Sequence, residues 1–216
     1  MSDLTTTEQT IAALERRLRR LEDREEIRAL VARYNWVMDD RDLPGIRDLF
    51  SEDVRVSSSD GALDSQGRDE VVKMFQGRFE VLGPSLHWAH DHRIWFEDDE
   101  DAARGLVSLH AEMTRFGVAA ISAIRYEDGY RRGDDGNWRF SSRRLSFFYF
   151  MDPREYAAAL EHPLRVRSSA DHTAAGFPET LESWQRYYEE FPRPLDPPGG
   201  PGYLPPGGWV ARQDRT

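Results

Sequence analysis

Leu86-His87-Trp88-Ala89-His90-Asp91-His92-Arg93-Ile94-Trp95-Phe96 is where the chain changes its hydrophobic period. Before it, apolar residues recur at helical steps of three and four. From it onward they alternate with a period of two. The alternation predicts four strands, over 86–97, 102–114, 117–132 and 137–151. Asp98-Asp99-Glu100-Asp101, Phe116-Gly117 and Gly133-Asp134-Asp135-Gly136 supply the turns between them. Strands joined by such short turns pair antiparallel. Helices first and a long meander afterwards predict an α+β layer, a curved and mostly antiparallel sheet wrapped around N-terminal helices.

Upstream, residues 5–38 read as helix, with Thr5 and Glu8 at capping-box spacing. Ile11, Leu14, Leu18 and Leu21 form a narrow seam flanked by Glu15, Arg16, Arg17, Arg19 and Arg20. This 1–23 arm suits either a coiled coil or a surface helix docked on its own domain, since the seam lasts under two heptads. After Leu21 the phase shifts. Ile27, Leu30, Val31, Tyr34 and Met38 make a wider, core-facing stripe. A polar turn from Asp39 to Gly45 closes the helix. Ile46, Leu49 and Phe50 predict a short second helix, and Val54 and Val56 a half-buried strand. Ser57 to Gly67 reads as a loop, and 68–81 as a third helix carrying Val71, Val72, Phe75 and Phe79. Residues 152–216 form a C-terminal extension. Pro153–Glu161 and Pro178–Phe191 read as short helices, and Pro192–Gly208 holds seven prolines and five glycines, which favours extended polyproline conformation.

At 216 residues the chain suits one domain with extensions. A net charge of −10 argues against nucleic acid as a partner. With no cysteine, thiolate nucleophiles and thiolate metal sites are excluded. No apolar run approaches the roughly 20 residues of a membrane span, and Met1-Ser2-Asp3 lacks a signal peptide's apolar core, so a cytoplasmic address is expected.

Three segments carry a family resemblance. The first runs from Arg24-Glu25-Glu26-Ile27-Arg28 through Tyr34 and Asp39 to Leu49-Phe50-Ser51-Glu52-Asp53. The second is Leu86-His87-Trp88-Ala89-His90-Asp91, and the third joins Arg125-Tyr126-Glu127-Asp128 to Gly136-Asn137-Trp138-Arg139-Phe140 and Arg143-Arg144. Their order and separation over 24–151 resemble the SnoaL-like branch of the NTF2-like superfamily, a cone fold. Within it the likeness is to cofactor-independent lyases of the scytalone dehydratase, bile-acid 7α-dehydratase and hexachlorocyclohexane dehydrochlorinase type. The resemblance implies a His87–Asp39 pair as the catalytic centre, with Tyr34 and Arg143 as further polar groups and no cofactor. Asp40 and Arg144 are the alternatives to Asp39 and Arg143. Asp91 stands where the family often has Asn, and His90 and His92 are additional. The resemblance also implies a homo-oligomer, with a trimer favoured over a dimer, and a role in secondary metabolism. The same fold hosts isomerases, polyketide cyclases and non-catalytic modules, so fold alone does not settle function.

An elimination needs a base working near neutral pH, a group that orients it and a donor for the leaving group. On the resemblance, His87 would serve as base, Asp39 as orienting partner, Tyr34 as donor and Arg143 as support for developing negative charge. Trp88, His90, His110, Tyr126 and Phe148 are expected to line the site of a small hydrophobic, ring-containing substrate. In an isomerase or cyclase, Asp39 alone would be the base. On a regular strand His87, Ala89, Asp91, Arg93 and Trp95 share one face, and Trp88, His90, His92, Ile94 and Phe96 the other; a bulge would reset this phase. His90 and His92 on one face, with Glu97, loosely resemble a cupin metal motif, but its second half is missing, so no metal is expected. His162 and His172 are expected at the surface.

Overall fold

A computed structural model describes residues 2–160, 162–167 and 172–191, with side chains from residue 7 onward. The 38-residue helix α1 (Ser2–Asp39) leads into α2 (Leu43–Asp48), β1 (Phe50–Ser58), β2 (Asp64–Gln66) and α3 (Arg68–Phe79). The meander follows as β3 (Leu82–Phe96), β4 (Ala102–Arg115), β5 (Val118–Arg132) and β6 (Trp138–Met151). The sheet order is β2-β1-β6-β5-β4-β3, antiparallel except where β1 runs parallel to β6. This open, curved sheet wrapped on helices is the α+β cone that the sequence reading expected.

The differences from the sequence reading are local. α1 begins at Ser2, so Thr5 lies inside the helix and does not cap it. β3 starts four residues early, at Leu82. The 57–67 loop contains the short edge strand β2. The segment after β6 is a 3-10 turn at Pro153–Glu155 and one helical turn, α4 (Tyr156–Ala159), while α5 spans only Glu182–Glu190. The Pro192–Gly208 stretch lies outside the described residues.

Turn chemistry holds the meander. Phe116 (φ 49°) and Gly117 (φ 77°) both occupy positive φ, the requirement of a two-residue turn whose twist matches the strands. The inner face of the sheet then meets α1 and α3. Ile27, Tyr34, Leu49, Phe50, Val71, Phe75, Tyr126 and Phe140 are all at most 3% exposed. Each such side chain contributes about 1.5–3 kcal/mol by burial. Asp23 fastens α1 to the far hairpin, through Arg132 and the Trp138 indole N–H.

The extension continues the sheet where β1 stops. β1 pairs with β6 only as far as Ser58↔Leu145. Beyond that, Val166 pairs in parallel with Phe150 and Gly176 N–H donates to the Phe147 carbonyl. Buried Arg165 donates to the Phe148 carbonyl (2.6 Å) and to Glu179 (2.8 Å).

Candidate active site

The C-terminal end of α1 and the start of β3 build the site together. α1 closes with a Schellman arrangement: Asp42 N–H donates to the Val37 carbonyl and Arg41 N–H to Met38. Arg41 takes the left-handed position (φ 62°), where glycine is usual. Its guanidinium accounts for the exception. It donates back to the Met38 carbonyl (2.6 Å), across to the Gly83 carbonyl (2.6 Å) and to Ser85 Oγ (3.0 Å), and it lies over the Phe79 ring. Arg41 thus ties the helix end to β3. Nothing in its residue type signalled this; the positive φ and the three acceptors exist only in the fold.

Asp39 meets His87 twice. Its Oδ2 accepts from the His87 backbone N–H (2.9 Å), and its Oδ1 lies 2.6 Å from His87 Nδ1. Oδ1 also accepts from Ser85 Oγ (3.1 Å). Burial opposes ionisation of Asp39, but the hydrogen bonds from His87 and Ser85 outweigh it and hold the carboxyl below its ordinary range. An ionised carboxylate only accepts, so His87 Nδ1 donates this hydrogen bond, and Nε2 is the ring nitrogen left for other chemistry. Asp40 stays exposed on the turn.

Tyr34 lies directly beneath, its ring edge-on to His87 at 6.4 Å between centroids. It is 2% exposed, and burial raises its pKa against the opposing pull of Arg143, so the hydroxyl keeps its proton. Arg143 comes next. Its guanidinium sits 4.1 Å over the rings of Tyr34, Tyr126 and Phe140 and makes a two-point ion pair with Asp128 (2.8 and 2.7 Å). Asp128 also accepts from the Tyr130 hydroxyl (2.9 Å), whose oxygen is 3.1 Å from His92 Nε2. This buried network of Arg143, Asp128, Tyr130 and His92 was not foreseen. Asp128 alternates in phase with Tyr126 and Tyr130, a carboxylate on an inward face, and that was the available signal. Arg144 faces out, toward Glu127.

A bulge settles the histidines. Ala89 pairs with Leu109 but His92 with Val107, so β3 carries one extra residue between them. His92, Ile94 and Phe96 thereby join the face of His87 and Ala89. His90 and His92 do not share a face, which removes the His-x-His chelate. His90 instead meets His110 on the outer face (2.7 Å). Among the described residues no group of three or more His, Asp or Glu comes together as a metal cage. His162 and His172 are exposed.

His87 and Asp39 line a groove of about 690 Å³ between α1 and the edge strand β3. Trp36 (70% exposed) and Trp88 (51%) are at its lining, with Arg28, Asn35 and His90. Tyr126 lies in the core behind Tyr34, and His110 is on the outer face. Phe148 packs against Phe177 of the extension, away from His87.

A family model described as "SnoaL-like domain" matches residues 19–144. The chain belongs to the SnoaL-like family. Solved structures share the fold. One is a putative scytalone dehydratase from Novosphingobium aromaticivorans, 23% identical, covering 62% of this chain and 89% of that one at a TM-score of 0.56. Another is hexachlorocyclohexane dehydrochlorinase LinA-type3 from Novosphingobium barchaimii, 20% identical, covering 62% and 92% at 0.57. A comparison with curated proteins finds no match. This SnoaL-like chain has no helix, among the described residues, that is long and apolar enough to cross a membrane.

Proposed function

We propose that the chain is a cofactor-independent lyase that eliminates water from a small, largely apolar, ring-containing molecule, with His87 as base. One observation carries this reading: Asp39 grips His87 at both the ring and the backbone in a groove walled by two exposed tryptophans. His87 Nε2 takes a proton from the substrate carbon. The electron pair left behind forms the new double bond and expels the neighbouring hydroxyl, which takes the proton back from the His87 imidazolium and leaves as water, so that His87 ends neutral. Asp39 holds the ring in the required tautomer and stabilises the imidazolium, as a triad aspartate does. Trp36 and Trp88 offer flat apolar surface to a ring system. We assign Tyr34 and Arg143 to the floor beneath His87. Tyr34 supports the ring edge, and Arg143, already matched by Asp128, holds Tyr34 by stacking. Direct proton donation by Tyr34 requires a substrate that reaches below His87.

The test is a panel of hydroxylated polyketide, steroid and terpenoid-like compounds, incubated in D2O and read by mass spectrometry for loss of water and for deuterium uptake. Loss of water that falls at least about 100-fold in both His87→Ala and Asp39→Asn supports the reading. Dehydration that survives both substitutions overturns it. Deuterium uptake without loss of water keeps His87 as base but replaces elimination with isomerisation.

A further inference from the structure

Helix α1 carries two apolar stripes, and they lie on opposite sides. Asp23, Ile27, Val31, Tyr34 and Met38 pack into the domain, each at most 5% exposed. Ile11, Leu14, Leu18 and Leu21 are 50–64% exposed. At about 100° per residue the centres of the two stripes lie roughly 160° apart. The helix is continuous from Ser2 to Asp39, so the first stripe cannot turn back onto the sheet that the second one covers. The four seam residues thus stay off their own domain, although Arg20 beside them stacks on Phe96. Leu21 is the most exposed of the four although Asp23, two residues on, is buried.

We propose that this seam is the contact surface for a second copy of the chain, in a parallel two-stranded coiled coil. With Ile11 and Leu18 at a and Leu14 and Leu21 at d, the e positions are Glu8, Glu15 and Glu22, and the g positions include Arg17 and Arg24. In a parallel pair g faces e of the next heptad, so Arg17 of each copy meets Glu22 of the other. In an antiparallel pair e faces e and g faces g, which sets glutamate against glutamate and arginine against arginine. The charges therefore select the parallel arrangement and a copy of the same sequence. Ile at a with Leu at d favours two strands over three. The seam is short, but its helix is already nucleated by the folded half of α1, which removes the main cost that defeats short isolated helices. It stops at Leu21 because Arg24 turns to the sheet, donating to the Ile94 carbonyl and stacking on Phe96. There the two copies diverge into their domains.

The full chain has no cysteine, so a single introduced one reports the geometry. Ile11→Cys lies at one end of the seam and pairs with itself only in the parallel arrangement. The expected result is a disulfide dimer of Ile11→Cys on mild oxidation, together with a halving of solution mass by sedimentation velocity in Leu14→Asp/Leu18→Asp. The circular dichroism of the domain and its thermal unfolding should be unchanged in that variant. Cross-linking seen only when Ile11→Cys and Leu21→Cys chains are mixed overturns the parallel arrangement. A solution mass untouched by Leu14→Asp/Leu18→Asp overturns the interface. A chain whose mass doubles only after removal of 192–216 shows that the tail occupies the seam, and overturns the proposal as well.

Discussion

Asp39 engages His87 through both of its oxygens, whereas His92 is joined through Tyr130 to the buried Asp128. Burial, with repulsion from Arg143 and Arg28 and partial relief from Asp128, pushes the His92 pKa down to about 4. The unfolded chain takes up that proton near pH 6.5 and the folded one does not until about pH 4. Stability is therefore complete above pH 6.5 and falls as pH drops toward 4. Acid titration of urea midpoints is expected to show this loss, about 2 kcal/mol once solvent screening of the half-buried ring is allowed for, and His92→Gln is expected to flatten it. Asp39 is legible in the sequence only as one of two adjacent aspartates. Asp39 is the last residue of α1, and the Schellman ending leaves Asp40 in solvent.

The end of α1 and the bulge in β3 are small elements with large effects. Arg41→Gly removes the left-handed strain, worth about 1 kcal/mol, and deletes three side-chain hydrogen bonds. Its thermal midpoint is expected to stay within a few degrees of wild type. Two-dimensional NMR of the imidazole nitrogens is expected to show His87 losing its single tautomer as Ser85 and Asp39 loosen. An unchanged His87 signal would show that Arg41 serves the helix end alone. The bulge is a matter of count. Removing Asp91 takes out the extra residue, so plain alternation then carries His92, Ile94 and Phe96 on the face of His87, and the deletion is expected to cost no more than about 2 kcal/mol in a denaturant titration. Asp91→Ala keeps the count and is expected to cost under about 1 kcal/mol in the same denaturant titration. The strands themselves were readable to within a few residues, because alternation and turn residues are local properties. The bulge was not, because its signal is the partner strand: Leu109 and Val107 decide which residues face inward.

Across the whole molecule, an ion pair sits where a purely apolar core was available. Arg143 and Asp128 are both fully buried at their side chains. Burial opposes the charge on Arg143, and Asp128 more than offsets it, so the guanidinium stays charged. Breaking the pair leaves a charge without its partner. Asp128→Asn is expected to cost about 3–5 kcal/mol in chemical denaturation, and Asp128→Leu with Arg143→Met to recover most of that, since the apolar pair removes both charges together. A double substitution as unstable as the single one would show that the pair specifies the packing of Tyr34 and Tyr130 and not only its own neutrality. The order of helices and strands, the α+β layering, the curved sheet and the inward stripe of α1 were all determined by the sequence, through periodicity, turn residues and amphipathic spacing, which are set within a few residues of chain. The resemblance singled out His87 and Asp39, and the tertiary structure brings them together; the tertiary structure alone decided that Arg143 is held by Asp128, that the extension prolongs the sheet beside β6, and that the seam of the arm faces solvent. Each of these depends on which distant segment arrives opposite a residue, and contacts between residues many tens of positions apart leave no local pattern to read.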